Sequence, residues 1–124
     1  MPTARPFDWD LWARTNSETE LRREARKQEK LQKARELANV LCLRFLEIDP
    51  ELKKVTLFGS VARQDSRSEE FDIDLVVEGA RRFGALFGEA EASDRPVDLL
   101  EWESLKERIR ENIVREGIVL YEKP

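Results

Sequence analysis

Two aspartates, Asp72 and Asp74, stand one residue apart inside the run FDIDLVVE. Alternation along a strand sends Phe71, Ile73 and Leu75 to one face and both aspartates to the other. Their carboxylates then lie within about 7 Å of each other, two steps along one strand. Like charges that close repel, and burial makes each costlier. The neighbours are Leu75, Val76 and Val77 rather than a matched Lys or Arg. A hard divalent cation is the simplest compensation. Mg²⁺ takes a few carboxylate oxygens and leaves positions for water and phosphate. Asp98 sits in a similar setting, between Val97 and Leu99 in VDLL. If its strand neighbours the first, three acids converge, which suits two metal ions acting on a phosphoryl group.

Gly59 and Ser60 follow a short apolar run and open a helical turn. Glycine lets backbone approach a ligand, and the free N–H groups of a helix start favour an anion. Ser60 can cap that turn or donate to a phosphate oxygen. Arg63, one turn on, can add charge at the same place. Each feature alone has a plainer reading. Gly-Ser turns are common, an Asp-x-Asp can be an exposed strand edge, and VDLL by itself means little. Their combination is sharper, because the acids and the cradle fall on adjacent expected elements.

The chain that must position these groups has 124 residues, enough for one domain with a real core. Charged residues make up 39% and apolar ones 40%, which fits a globular domain with a heavily charged surface. A formal net charge of −4 argues against general affinity for nucleic-acid backbones. Histidine is absent, so His triads, His bases and His metal ligands are excluded together. Cys42 is the one cysteine, which rules out an intrachain disulfide, and its place in NVLCLRFL favours packing over reactivity. No apolar run approaches the ~20 residues of a membrane span. MPTARPFDWDLW lacks a signal-peptide core, so a cytoplasmic setting is expected.

Pro2 and Pro6 point to an irregular aromatic arm over residues 1–16, carrying Phe7, Trp9, Leu11 and Trp12. Ser17 with Glu20 forms a capping box, and the helix it starts runs to about Ile48, before Asp49-Pro50. Leu31, Ala34, Ala38, Leu41, Phe45 and Ile48 recur at helical spacing and face a core. Residues 17–30 are charged and expected to project from the single domain at 17–124. Strands are expected at 55–58, 71–78, 96–100 and 118–121, and helices at 80–92 and 103–116. Phe83, Leu86 and Phe87 are the expected inner face of the first, with Leu105, Ile109, Ile113 (or Asn112) and Val114 near one face of the second. The fold class is therefore α/β (α+β), a small mixed sheet of three to four strands flanked by helices, with a long N-terminal helix.

LFGSVARQDSRSEEFDIDLVV, followed by a later single Asp, resembles the signature of the polymerase-β nucleotidyltransferase superfamily. The ending IRENIVREGIVLYE is similar to the close of the minimal nucleotidyltransferases within it. The resemblance spans roughly residues 35–122. It implies that Asp72 and Asp74 hold two Mg²⁺ ions and that Asp98 completes the catalytic one. Gly59 and Ser60 would bind the triphosphate of a substrate such as ATP. An acceptor hydroxyl would attack the α-phosphate and release pyrophosphate. Small members often serve as antitoxins of HEPN-type ribonuclease toxins, some by adding AMP to a tyrosine. Two departures bear on loop geometry: Gln64 stands where the family usually has Gly, and Phe71 where it usually has Ser.

Two functions of different class remain open on the sequence. One is an active nucleotidyltransferase acting on a partner protein. The other is a module that neutralises its partner by contact. The three acids favour the first, since a pure binder need not keep them. Transfer to a small molecule such as an aminoglycoside ranks behind both, unless a homodimer builds the acceptor pocket that a chain this short lacks.

Overall fold

The computed structural model describes residues 7–63 and 72–124. The order of elements is α1 (Trp9–Ile48), β1 (Lys54–Phe58), α2 (Gly59–Arg63), β2 (Ile73–Glu78), α3 (Phe83–Glu91), β3 (Val97–Glu101), α4 (Glu107–Glu116) and β4 (Ile118–Glu122). A 3₁₀ turn, Trp102–Ser104, joins β3 to α4. The four strands make one mixed sheet in the order β3-β2-β1-β4. β1 is antiparallel to both β2 and β4, and β2 is parallel to β3. The β2–β3 crossover carries α3, as a parallel connection requires.

One face of the sheet is a dry core. Val55 and Leu57 of β1 lie beside Ile73, Leu75 and Val77 of β2 under Leu31, Ala34, Ala38, Leu41 and Phe45 of α1. Ala34 and Ala38 are both fully buried, and their small side chains let the helix approach the sheet. Leu86 and Ala90 bring α3 into the same cluster. Cys42 is buried there too, and burial pushes its thiol up to about 11, so it packs as an apolar group. Asp49 is buried at the end of α1 and accepts hydrogen bonds from the Arg81 and Arg82 N–H groups, at 2.7 and 2.9 Å. It thereby ties α1 to the start of α3.

α1 begins at Trp9, not at Ser17. The Asp8 carboxylate accepts from the Leu11 N–H at 2.9 Å and is the N-cap. Nothing between Trp9 and Ser17 breaks a helix, so the earlier cap wins and Ser17 sits inside. The stretch read as irregular through residue 16 is therefore helical from Trp9 onward. α4 starts at Glu107 rather than 103, because the chain first makes the 3₁₀ turn. Its N-terminal end is held by Arg110, which donates to the carbonyls of Trp102 and Glu103 and stacks 5.3 Å above the Trp102 ring. Of its expected inner residues only Ile113 is buried; Ile109 and Val114 are exposed. In α3, Phe87 is likewise exposed, and Ala90 takes the inner place expected for it. α4 closes at Gly117, where a Cβ would crowd the Ile113 carbonyl and the Thr56 methyl. Among the described residues no helix is long and apolar enough to cross a membrane.

Candidate active site

The strands deliver the acids to one edge of the face opposite the core. Asp74 is the second residue of β2 and Asp98 the second of β3. The parallel ladder sets these two directly opposite each other. Across the antiparallel ladder on the other side, Asp74 faces Phe58, the last residue of β1. Gly59 follows at φ 73°, left-handed backbone that L side chains rarely adopt. A Cβ there would run into the Asp74 carboxylate, so the missing side chain is what lets the acid lie against the start of α2.

Asp74 is half-buried, while Asp72 and Asp98 are exposed. Burial raises the Asp74 carboxyl from its ordinary value to about 6. The Asp98 charge, a hydrogen bond between the two carboxyls and the Asp72 charge push in the same direction; Arg63 pulls the other way. The repulsion expected between Asp72 and Asp74 is present, and the Asp98 charge adds more to it. Asp72 lies just before β2 rather than within it. Among the described residues no three acidic side chains already form a closed cation cage. The donor set nonetheless fits a hard cation: oxygen donors from carboxyl groups, mutual repulsion that a cation would relieve, and open sides for water or phosphate.

α2 carries Gly59, Ser60 and Arg63. The Arg63 guanidinium lies 3.1 Å from the Glu116 carboxylate of α4, so its charge is shared between that pair and the acids. A groove opens beside it, between Phe58 and Gly59 on the sheet side and Ile109, Asn112 and Glu116 on α4. A more enclosed pocket lies further along the same face, over Thr56 and Val76, walled by Trp102 and Ile113. The far end of α2 is held by Arg35 of α1, whose guanidinium donates to the Val61 carbonyl at 3.3 and 3.2 Å and to that of Ala62 at 3.2 Å. These are terminal carbonyls of a short helix, and a cation there opposes its dipole. The sequence reading missed Arg35 and Glu116. A cation beside Ala34 and Ala38, on the half of α1 that packs on the core, was the available signal for Arg35. Gln64 and Phe71, the two departures from the family pattern, lie outside the described residues, as does the loop QDSRSEE.

Residues 41–124 match the family described as Polymerase beta, Nucleotidyltransferase. Among solved structures, a toxin–antitoxin with AMP-PNP is similar at 25% identity and TM-score 0.55, over 68% of this chain and 73% of that one. The complex of a tri-AMPylated Shewanella oneidensis HEPN toxin with MNT antitoxin is similar at 25% identity and TM-score 0.52, over 71% and 72%. A solved structure from Sulfolobus solfataricus shares the fold at 22% identity and TM-score 0.56, over 79% and 88%. No match was found among curated proteins. The family match takes in every element from the buried end of α1 to β4, the strands of Asp74 and Asp98 and the Gly59 turn included, and the chain belongs to the polymerase beta nucleotidyltransferase family.

Proposed function

We propose that the protein moves a nucleoside monophosphate, AMP from ATP, onto a hydroxyl of a partner protein. The proposed partner is a HEPN-type toxin, which makes this chain the antitoxin. The observation that carries the reading is the cluster itself. Asp74 is held against Asp98, near Asp72, at a cost that raises its carboxyl to about 6. A fold has no need of that repulsion unless a cationic ligand relieves it. The solved structures add direction: one similar complex holds AMP-PNP, and in another the HEPN toxin is tri-AMPylated.

On this reading Asp72, Asp74 and Asp98 would hold two Mg²⁺ ions. Bound there, the ions would supply charge stabilisation for the α-phosphate and lower the pKa of the acceptor hydroxyl. The chain's own groups do the rest. The Gly59 backbone approaches the triphosphate without a side chain in the way, and Ser60 donates to a phosphate oxygen. Arg63 adds positive charge at the same end. Asp98, exposed at the rim, faces the acceptor side. The acceptor oxygen bonds to the α-phosphorus, the bond to the β-phosphate bridge breaks, and pyrophosphate leaves. The hydroxyl proton passes to a carboxylate or to solvent. Because the chain has no histidine, none of its own side chains brings an imidazole to that step.

Calorimetry with ATP tests the reading. Binding should be strong with Mg²⁺ and collapse in chelator, and Asp74→Asn should lose transfer of label from α-labelled ATP by orders of magnitude while staying folded. Equal ATP binding in chelator would sink the proposal. A wild-type chain that binds the toxin but transfers no label would instead assign it to neutralisation by contact.

A further inference from the structure

We propose that the projecting part of α1 is a dimerisation arm that pairs antiparallel with the same helix of a second copy. The first buried residue of α1 is Leu31, so the helix from Trp9 to Lys30 stands clear of its own core. That part spans about 33 Å at ~1.5 Å per residue. It carries large apolar side chains in the open: Trp9 is 68% exposed, Trp12 53% and Leu21 69%. Phe7, Trp9 and Trp12 already stack edge to face, with centroids 4.7 and 6.0 Å apart, and form one aromatic knob at the tip. Local pairs such as Gln28–Glu24 and Lys33–Glu29 lie along the helix, but exposed pairs of this kind contribute little. A helix this long without a packed face is marginal in water, and exposed aromatics in a cluster mark an interface.

Charge identifies the occupant. From Asp8 to Glu20 the helix carries Asp8, Asp10, Glu18 and Glu20 against Arg14 alone. From Leu21 to Lys33 the balance reverses, with Arg22, Arg23, Arg26, Lys27, Lys30 and Lys33 against Glu24 and Glu29. A two-fold pairing makes one patch complementary to itself, so the patch must carry both signs, one on each side of the axis. This helix does so, with the change of sign beside Leu21. Antiparallel pairing about that point lays the acidic stretch of each copy along the basic stretch of the other, with Glu20 opposite Arg22 and Glu18 within a turn of Arg22 and Arg23. Parallel pairing would set like on like. The antiparallel register also brings each aromatic tip to the stretch around Lys33 of the other copy, where basic side chains can lie over indole faces. The length of the arm matches this use, because its tip reaches the point where the second copy's helix enters its own domain.

The test uses the full chain in analytical ultracentrifugation over a concentration series. Wild type should pass from one copy to two as concentration rises, and the pairing should weaken with salt. A Glu18→Lys/Glu20→Lys variant and an Arg22→Glu/Arg23→Glu variant should each self-associate at least about tenfold more weakly. Mixed one to one, the two should pair with near wild-type affinity, since both contacts of the mixed dimer again join opposite signs. None of the four side chains touches the core, so the melting temperature of the domain should hold in every variant and separates lost pairing from lost fold. Wild type that stays a single copy overturns the proposal and leaves the arm to a different protein. Variants that pair as well as wild type, or a mixture that gains nothing, also overturn it.

Discussion

Leu75 and Asp74 are adjacent in β2 and point to opposite faces of the sheet. Leu75 is fully buried among α1 and α3 side chains, with Ile73 and Val77 on the same side. Asp74 meets another acid, a glycine turn and partial solvent. On the first face every residue stabilises the fold by leaving water. On the second, an acid is retained where it repels its neighbours. The same contrast runs lengthwise along α1, whose second half is buried and whose first half is not. Positions that stabilise and positions that are kept at a cost thus alternate over a few ångströms in the strand and over a few turns in the helix.

The widest separation should come from Leu75→Ala. Removal of a fully buried leucine loses its transfer free energy and leaves a cavity, about 2–5 kcal/mol in all. Chemical denaturation should show that loss at any pH where the fold is stable. A loss under ~1 kcal/mol would mean that this face is far looser than the burial implies.

Asp74→Asn should move stability the other way, by a smaller amount. The Asp74 carboxyl is raised from 3.8 to about 6 in the folded chain. A raised acid binds its proton more tightly when folded, so its contribution is fully present below the unfolded value, near pH 4. It is lost as pH rises through about 6. In chelator, the wild-type midpoint should therefore fall between those limits by a component that Asp74→Asn lacks. At pH 7 the variant should be more stable by about 1–2 kcal/mol, less than the full shift would imply because the group is only half-buried. Denaturation series of both proteins from pH 4 to pH 8, as round working limits for the ~4 to ~6 window, would check this. Parallel pH profiles would show that Asp74 carries no such strain.

The strands were legible because they obey one rule each. VTLF, IDLVV and IVLY are short β-branched runs closed by glycine or charge, and they became β1, β2 and β4 within a residue or two. The meeting of Asp74 with Asp98 was legible only as a condition, since alternation fixes a face but not which strand lies alongside; the parallel register supplies the rest. Asp72 shows the limit of alternation, because it falls just outside the strand that was to orient it. Arg35 and Asp49 were not legible as structural groups. Each binds backbone more than twenty residues away, and side chain to backbone contacts leave no periodic trace in a sequence. The start of α1 was misread for a different reason: two capping residues competed, and local pattern alone ranked them wrongly.

That competition gives the smallest and most local effect. Asp8 caps the helix through the Leu11 N–H, whereas Ser17 stands nine residues further in, with helix on both sides. Asp8→Ala removes the cap and the favourable charge at the helix start, which costs about 0.5–1 kcal/mol of local helix stability. Because the segment before Leu31 does not touch the core, that cost should appear as fraying rather than as a lower melting temperature. Helical content by circular dichroism should drop slightly, with faster amide exchange near the tip. Ser17→Ala should do the opposite, since an interior serine competes for backbone hydrogen bonds and alanine does not, a gain of a few tenths of a kcal/mol at about the propensity difference. If Ser17→Ala instead lowers helicity while Asp8→Ala leaves it unchanged, the helix starts at Ser17 in solution, and the aromatic tip does not ride on it.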